Sequence, residues 1–545
     1  MHSRERGLTA RTHGETALRN RDFLPLIDGI LTMRNLLFMV FAMSGIAAMA
    51  AGQASVFINV DNDKFFYGSP ESMTEEGLLK RVDDVLKEGG VTDYVFCPCG
   101  QRASFDSKAW EPIWCGIDEP CDNNGRIDNE WAGNCKLLRD RGIDPYKVWS
   151  KRVRGKGKNF WLSVRMNDLH FWSITNYFRI TSFWKKRPEL HIDRGLTRDS
   201  ERQGLDFSIK EVRDYTFSMI GELLARYDMD GIELDWTRFP FYFEPGTEMG
   251  NSIHLTEIMR KTRAAANRAE KRLGHQVRIA VRIAAEPEAA IGLGTDFMTW
   301  AKEGLVDVVV PCNFYHAANY ALPYGEWKRQ IGTVAPSVKI YPGVDICVGC
   351  APGQSRSTNL ARFAGWIELM REAGAEGFYV FNAPYFADDM RLPLYRGDFA
   401  TSKIVSFPRA TLPEFLDYSI PRGYPNKAQL PQTTKWDRFV EINAVKPRDG
   451  ERVAVAVAFD EKGFPPEIVT LNGVRPNGAA RKIDAAGFRG TVLKRKKETA
   501  CAFEWEFPAD ALISGINSVR IGRVLPVRNI TWCEIRKTPA KGKGR

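Results

Sequence analysis

Eight short β-rich runs alternate with amphipathic helical stretches between Ser55 and Asn382, and this alternation leaves the chain very few folds. The runs are Ser55–Asp63, Thr92–Cys97, Asn159–Asp168, Met229–Pro240, Val277–Glu286, Val306–Tyr315, Val338–Asp345 and Gly377–Asn382. The clearest helical patterns among them cover Ile209–Tyr227, Ile253–Leu273 and Leu360–Ala373. Strands that take turns with helices imply a parallel α/β fold, because each parallel connection must cross back over the sheet. The count of eight, with polar residues closing nearly every run, predicts a (β/α)8 or TIM barrel over residues 55–400. That is longer than the usual ~250 residues, and the surplus lies in the stretches 100–150 and 168–205, on the loop side that carries function. Residues 401–435 read as a proline-bearing linker. Six shorter β runs with Gly, Pro and Asn between them fill 436–537 and predict a C-terminal β-sandwich. A basic tail, 538–545, closes the chain.

Composition narrows the class further. A chain of 545 residues with 44% hydrophobic content can bury a large core and is too long for one domain. The formal charge of +10 is spread along the sequence, no nucleic-acid motif accompanies it, and no nucleic-acid partner is expected. An apolar run at residues 36–51 follows Arg34 and leads into small residues. It falls short of the ~20 residues of a membrane span and fits a secretory h-region. Residues 1–54 are therefore expected to be an N-terminal extension with a signal peptide, giving a secreted or periplasmic protein without stable membrane insertion. Ten cysteines suit an exported chain. Cys347 and Cys350 are expected to flank a turn, and Cys501 with Cys533 is the best single disulfide pairing.

The fourth run, Met229-Asp-Gly-Ile-Glu-Leu-Asp-Trp-Thr-Arg-Phe-Pro240, holds the candidate chemistry. Alternation along a strand puts Glu233, Asp235 and Thr237 on one face and Ile232, Leu234 and Trp236 on the other. Two carboxylates on one strand face are costly in a core unless paired or at work. Asp235, Glu286 and Asp345 each close a different run, where barrel enzymes keep their catalytic groups. Glycoside hydrolysis needs two carboxyl groups across the scissile bond, ~5–5.5 Å apart in retaining enzymes. Asp235 is then the expected nucleophile, Glu286 the acid/base, and Asp345 a third carboxylate gripping sugar hydroxyls. Arg238 and Arg282 are placed to hold a carboxylate ionised, with Glu233 and Arg282 expected as a structural ion pair.

Leu205-Asp-Phe-Ser-Ile-Lys-Glu-Val-Arg-Asp-Tyr215, with Leu223-Leu-Ala-Arg-Tyr-Asp-Met-Asp-Gly-Ile-Glu-Leu-Asp-Trp-Thr-Arg-Phe-Pro240, resembles the glycosyl-hydrolase-like barrel family. That family is distantly related to the α-amylase group. The resemblance implies a barrel glycosidase with a nucleophilic Asp on the fourth strand, an acid/base Glu on the fifth and another Asp on the seventh, places occupied by Asp235, Glu286 and Asp345. Where the amylases carry Arg two residues before the nucleophile, this chain carries Glu233. The same segment departs from the chitinase motif, whose catalytic acid is replaced by Thr237.

Aromatic residues crowd the two long stretches, and flat rings at a barrel mouth suit the apolar faces of sugars. Trp172 and Trp236 are the expected substrate contacts. Asp61, Asn167, His170, Asn313, Tyr315, His316 and Asn382 end their runs or follow them closely and are candidate hydroxyl partners. Two scattered histidines are too few for a metal centre, so no cofactor is expected. The sequence thus predicts a glycoside hydrolase of a poly- or oligosaccharide. The alternatives are a non-catalytic glycan-binding barrel and a metal-dependent hydrolase or deacetylase.

Overall fold

The structure is a computed structural model that describes residues 54–61, 63–117, 130–174, 177–193, 203–313, 319–345, 347–351, 354–413, 429–488, 491–492 and 500–539. The apolar run at 36–51 lies outside them. No helix among the described residues is long and apolar enough to cross a membrane.

The fold is mixed α/β. Nine parallel strands form one curled sheet: β1 (Ser55–Val60), β2 (Asp93–Cys99), β3 (Asn159–Arg165), β4 (Gly231–Asp235), β5 (Arg278–Ala284), β6 (Val308–Cys312), β7 (Lys339–Ile340), β8 (Gly343–Val344) and, after a hairpin of β9 (Cys347–Ala351) and β10 (Gln354–Ser357), β11 (Gly377–Phe381). Their order is β7-β6-β5-β4-β3-β2-β1-β11-β8. The two ends of that order are halves of one run, parted only by Tyr341 and Pro342. Tyr341 N–H donates to Val309 O on β6 (3.0 Å), and Tyr379 N–H on β11 donates to Pro342 O (3.0 Å). Pro342 has no N–H to give a ladder, and the run is split there. Cys347 and Cys350 fall within β9 and not at a turn.

Alternation sorts the strand residues by face. Phe57, Val95, Trp161, Ala280, Val308, Tyr379 and Phe381 form an apolar cluster of their own. Ile58, Phe96, Leu162, Leu234 and Ile283 point the other way and join the main core under the helices. Gly231 opens β4 because a Cβ there would meet the Trp161 ring at 2.1 Å. The glycine is a packing requirement of the β3–β4 pair.

The helices Lys210–Arg226, Glu248–Leu273 and Leu360–Glu372 lie on the expected patterns. The stretch 100–150 is not all insertion. It holds the helix Pro145–Gly155, started by Asp144, whose side chain accepts from Tyr146 N and Lys147 N. An Asp cap followed by Pro at the first position is a standard helix start, and this helix leads directly into β3.

Beyond the curled sheet, all six expected β runs are strands. In order come β12 (Arg409–Thr411), β13 (Gln432–Thr433), β14 (Arg438–Ala444), β15 (Arg452–Phe459), β16 (Ile468–Leu471), β17 (Arg481–Ile483), β18 (Thr491–Val492), β19 (Cys501–Phe507), β20 (Gly515–Gly522) and β21 (Asn529–Thr538). Most of them form two antiparallel sheets, β12-β21-β15-β19-β17 with β13 also on β21, and β14-β20-β16, whereas β18 pairs with β10 of the earlier hairpin. Val440, Ile442, Val519 and Ile521 of one share an apolar cluster with Val455, Val457, Phe503 and Ile535 of the other. The stretch read as a linker contains β12, whose Arg409 pairs with Lys537 of β21. Buried ion pairs tie β21 of the first of these sheets to the helix Leu360–Glu372: Arg362 Nε to Glu534 Oε2 at 3.0 Å, and Lys537 Nζ to Glu368 Oε2 at 2.5 Å.

The Cys501–Cys533 disulfide does not form, and both thiols are free. Cys501 is opposite Phe459 on one side of β15, and Cys533 is opposite Val457 on the other. Two strand spacings separate them by about 10 Å, beyond the ~7 Å between Cα atoms that a disulfide spans.

Candidate active site

The ends of β3, β4 and β5 share one register: Arg165 is opposite Asp235, and Asp235 is opposite Arg282. Asp235 therefore meets a guanidinium. Arg282 Nη1 donates to its Oδ2 at 2.8 Å, while Thr237 donates to Oδ1 from its backbone N (3.0 Å) and from Oγ1 (2.8 Å). Both members of the ion pair are buried, with side chains 0% and 1% exposed. Arg282 also lies over the Phe381 ring, 4.1 Å from its centroid, and reaches Cys312 Sγ at 3.6 Å. Three donors on one carboxylate offset part of the cost of burying it. The expected Glu233–Arg282 pair is not made, because register delivers Arg282 to Asp235.

A second charged chain runs beside it. Arg165 pairs with Asp61 through Nη2 and with Asp168 Oδ2 through Nη1 at 3.0 Å. Asp168 Oδ1 accepts from His170 N (2.8 Å) and lies 2.5 Å from His170 Nδ1. His170 Nε2 in turn takes Arg238 Nη2 at 2.8 Å, and Arg238 packs 5.2 Å from the Phe381 centroid. Burial pulls the Asp61 carboxyl up, but Arg165 and Arg238 outweigh it and hold the group down at about 2. Asp168 is likewise held well below the ordinary range, burial being overcome by His170 and Arg165. Burial, reinforced by the Arg238 charge, lowers His170 to about 4 against the pull of Asp168. His170 is thus a neutral bridge, donating from Nδ1 and accepting at Nε2, with both nitrogens engaged.

Glu233 lies one step down the inner face. Its Oε1 accepts from Ser163 Oγ (2.7 Å), Tyr379 OH (3.0 Å) and Asn59 Nδ2 (3.3 Å). Burial, and next the Asp235 charge, raise its carboxyl to about 7.

The remaining candidates divide. Asp345, buried, follows β8, and its charge reaches the Cys312 thiol, as that of Asp235 does. Glu286 stands apart: it lies four residues past the register partner of Asp235, outside β5, where it starts the short helix Pro287–Gly292 and accepts from Asn319 Nδ2 at 3.4 Å. Asn167 spends its amide on loop backbone, donating to Phe241 O (2.6 Å) and accepting from Leu205 N (3.0 Å). Asn313 and Asn382 are buried, and their Oδ1 atoms have no hydrogen-bond partner among the described residues. Trp172 packs partly buried against Leu169 and Phe239 at the rim. Trp236 does not face the site. It is buried among Phe207, Tyr242 and Trp300 on the helix side of β4, as alternation dictates. Tyr315 and His316 lie outside the described residues.

Backbone strain gathers at the same rim. Phe171 (φ 61°), Phe239 (φ 57°) and Asn382 (φ 57°), past β3, β4 and β11, occupy the left-handed region. A bulky residue there costs roughly 1–2 kcal/mol and persists only where its surroundings hold it. Sequence reasoning passed over Asn59, Ser163, Arg165, Tyr379 and Phe381. The alternation that singles out Glu233 would have placed each on an inner face, but which of them meet depends on the pairing of distant strands.

A curled parallel sheet with paired charges buried at its carboxyl edge has the layout of α/β proteins that bind or transform ligands at that edge. No family model and no curated protein sequence matches the chain. Solved structures resemble it distantly. A cycloisomaltooligosaccharide glucanotransferase of Paenibacillus, complexed with cycloisomaltoheptaose, is 8% identical with a TM-score of 0.35, covering 88% of this chain and 57% of that one. A GH36 α-galactosidase of Geobacillus stearothermophilus with stachyose is 12% identical at 0.37, covering 84% and 55%. An endo-β-1,4-mannanase of Thermotoga petrophila is 9% identical at 0.41, covering 89% and 98%. The chain spans little more than half the length of the first two. At these TM-scores the likeness says nothing of chemistry, which has to be read from the side chains.

Proposed function

We propose that the protein is an exported glycoside hydrolase of a poly- or oligosaccharide, built on a closed (β/α)8 barrel with Asp235 as its reacting carboxylate. Barrel closure is supported by the run Lys339–Val344, whose two halves bond to β6 and to β11. One observation carries the functional reading: Asp235 with Arg282, Asp61 and Asp168 with Arg165, and Arg238 joined to Asp168 through His170, from four different strands or the loops after them, gather at the carboxyl edge, all buried except the partly exposed Asp61. Buried ions cost several kcal/mol each even when paired, an expense that structure alone does not require at a strand end. Asp235 has about one lone-pair site left after its three donors, the minimum for attack on an anomeric carbon. Glu286 on the rim serves as the acid/base and Asp345 as a sugar ligand. Aromatic rings at the mouth, Trp172 among them, supply the platform.

A second reading, a glycan-binding barrel without turnover, is favoured by one fact. Asp235 is 0% exposed, so sugar reaches it only if rim side chains give way. Hydrolysis of a polysaccharide panel by the mature protein beside Asp235→Asn and Glu286→Gln separates the two. The hydrolase reading expects turnover reduced at least ~100-fold in both variants. Binding without turnover, equal in all three proteins, supports the second.

A further inference from the structure

The buried acid beneath Asp235 is unevenly satisfied. Glu233 Oε1 takes three donors, whereas Oε2 is buried and takes none among the described residues. The side chain of Asn59 is in the complementary condition: its Nδ2 donates to Glu233 Oε1, and its Oδ1 is buried with no partner. An ionised carboxylate spreads its charge over both oxygens, so a buried oxygen without a donor is the least favourable place for it. A carboxylic acid carries a proton on one oxygen and needs an acceptor for it. Glu233 Oε2 lacks a partner as an acceptor, and Asn59 Oδ1 lacks a donor.

We propose that Glu233 is a neutral carboxylic acid closed into a cyclic pair with Asn59, Oε2–H donating to Asn59 Oδ1 while Asn59 Nδ2–H donates to Oε1. The pair joins β4 to β1 across the inside of the sheet. Its consequence is positional: with Glu233 neutral, Asp235 is the only anion of its strand facing Arg282 and does not compete for the guanidinium. Loss of the proton would set a second carboxylate below Asp235 and draw Arg282 down between them. The charged groups that act on Glu233 are Asp235 on its own strand and Arg282 on β5; further along the same inner face Asp93 on β2 pairs with Arg278 on β5, and Arg165 on β3 pairs with Asp61 just past β1. Of the other ionisable groups on the inner face, Tyr379 on β11 already donates to Oε1, and burial keeps Cys97 on β2 and Cys312 on β6 as neutral thiols. Asp235 and Arg282 oppose each other in their effect on Glu233, and burial then favours the neutral form.

The protonation state stands apart from the hydrolase reading, whereas the positioning role rests on it. The test therefore begins without substrate. In the wild-type protein with 13C-labelled glutamate side chains, one carboxyl resonance should remain protonated at pH 6, titrate near neutrality and vanish in Glu233→Gln. Glutamine reproduces the ring, Nε2 donating to Asn59 Oδ1, so this variant should fold. Its Tm relative to wild type should rise by several degrees between pH 5 and pH 8.5, whereas Glu233→Leu should be less stable at both. A wild-type spectrum with every glutamate ionised by pH 6 overturns the proposal, as does a Glu233→Gln offset that does not vary with pH. If a hydrolysed substrate is in hand, Glu233→Gln should extend the alkaline limb of kcat with KM unchanged. An unmoved limb refutes the positioning role and leaves the hydrolase reading standing.

Discussion

Removing Arg282 while leaving Asp235 in place tests the energetic core of the site. In Arg282→Met the volume is roughly kept, but Asp235 retains only the two Thr237 donors and no compensating cation in contact. The side chains being 0% and 1% exposed, solvent screens little of the loss, and breaking such a pair from one side costs about 3–5 kcal/mol. Replacing both members relieves the stranded charge, so Asp235→Asn/Arg282→Met should be more stable than Arg282→Met alone by about 2 kcal/mol or more. Urea unfolding followed by tryptophan fluorescence reads both. A cost below ~1 kcal/mol, or additivity in the double variant, would refute the view that the two charges hold each other in place.

Other expectations follow from the same contacts. Gly231→Ala forces a methyl into the Trp161 ring and should cost about 1–3 kcal/mol or more by overpacking; an unchanged melting curve would contradict the packing. His170, neutral when folded with its pKa lowered to about 4, binds a proton more readily when unfolded, so its share of stability is lost as pH falls from ~6.5 towards 4, on the order of 3 kcal/mol over the window. His170→Gln should flatten that slope. Glu233 has the opposite sign, since its raised pKa of about 7 makes stability decline as pH rises from ~4.5 to 7. Finally, a chain cut after residue 435 strands Arg362 and Glu368 without Glu534 and Lys537, and should fail to give a dispersed NMR spectrum on its own.

Much of the architecture is legible because it rests on local pattern. Hydrophobic alternation marks the strands, helical spacing marks Lys210–Arg226 and Leu360–Glu372, and the two-residue period of β4 sends Asp235 inward and Trp236 outward. Trp236 as a sugar contact contradicts that period, and the structure follows the period. What could not be read depends on register and on distant pairing. Whether Arg282 meets Glu233 or Asp235 turns on a slip of β5 against β4 by two residues, which no local signal fixes. Asn59, Ser163 and Tyr379 converge on Glu233 from strands separated by long stretches of chain, and the Cys501–Cys533 pairing failed because β15 inserts between its two strands. The local pattern puts Glu286 at a strand end, but β5 stops at Ala284 and leaves it at a helix start.

The central claim is that Asp235 is the reacting carboxylate, and covalent trapping tests it most directly. The mature protein would be incubated with an activated 2-deoxy-2-fluoro derivative of whichever sugar it hydrolyses, digested, and its labelled peptide sequenced by mass spectrometry. The account predicts a glycosyl ester on Asp235, absent in Asp235→Asn. A label on Glu286 or Asp345, with Asp235 unmodified, would contradict it.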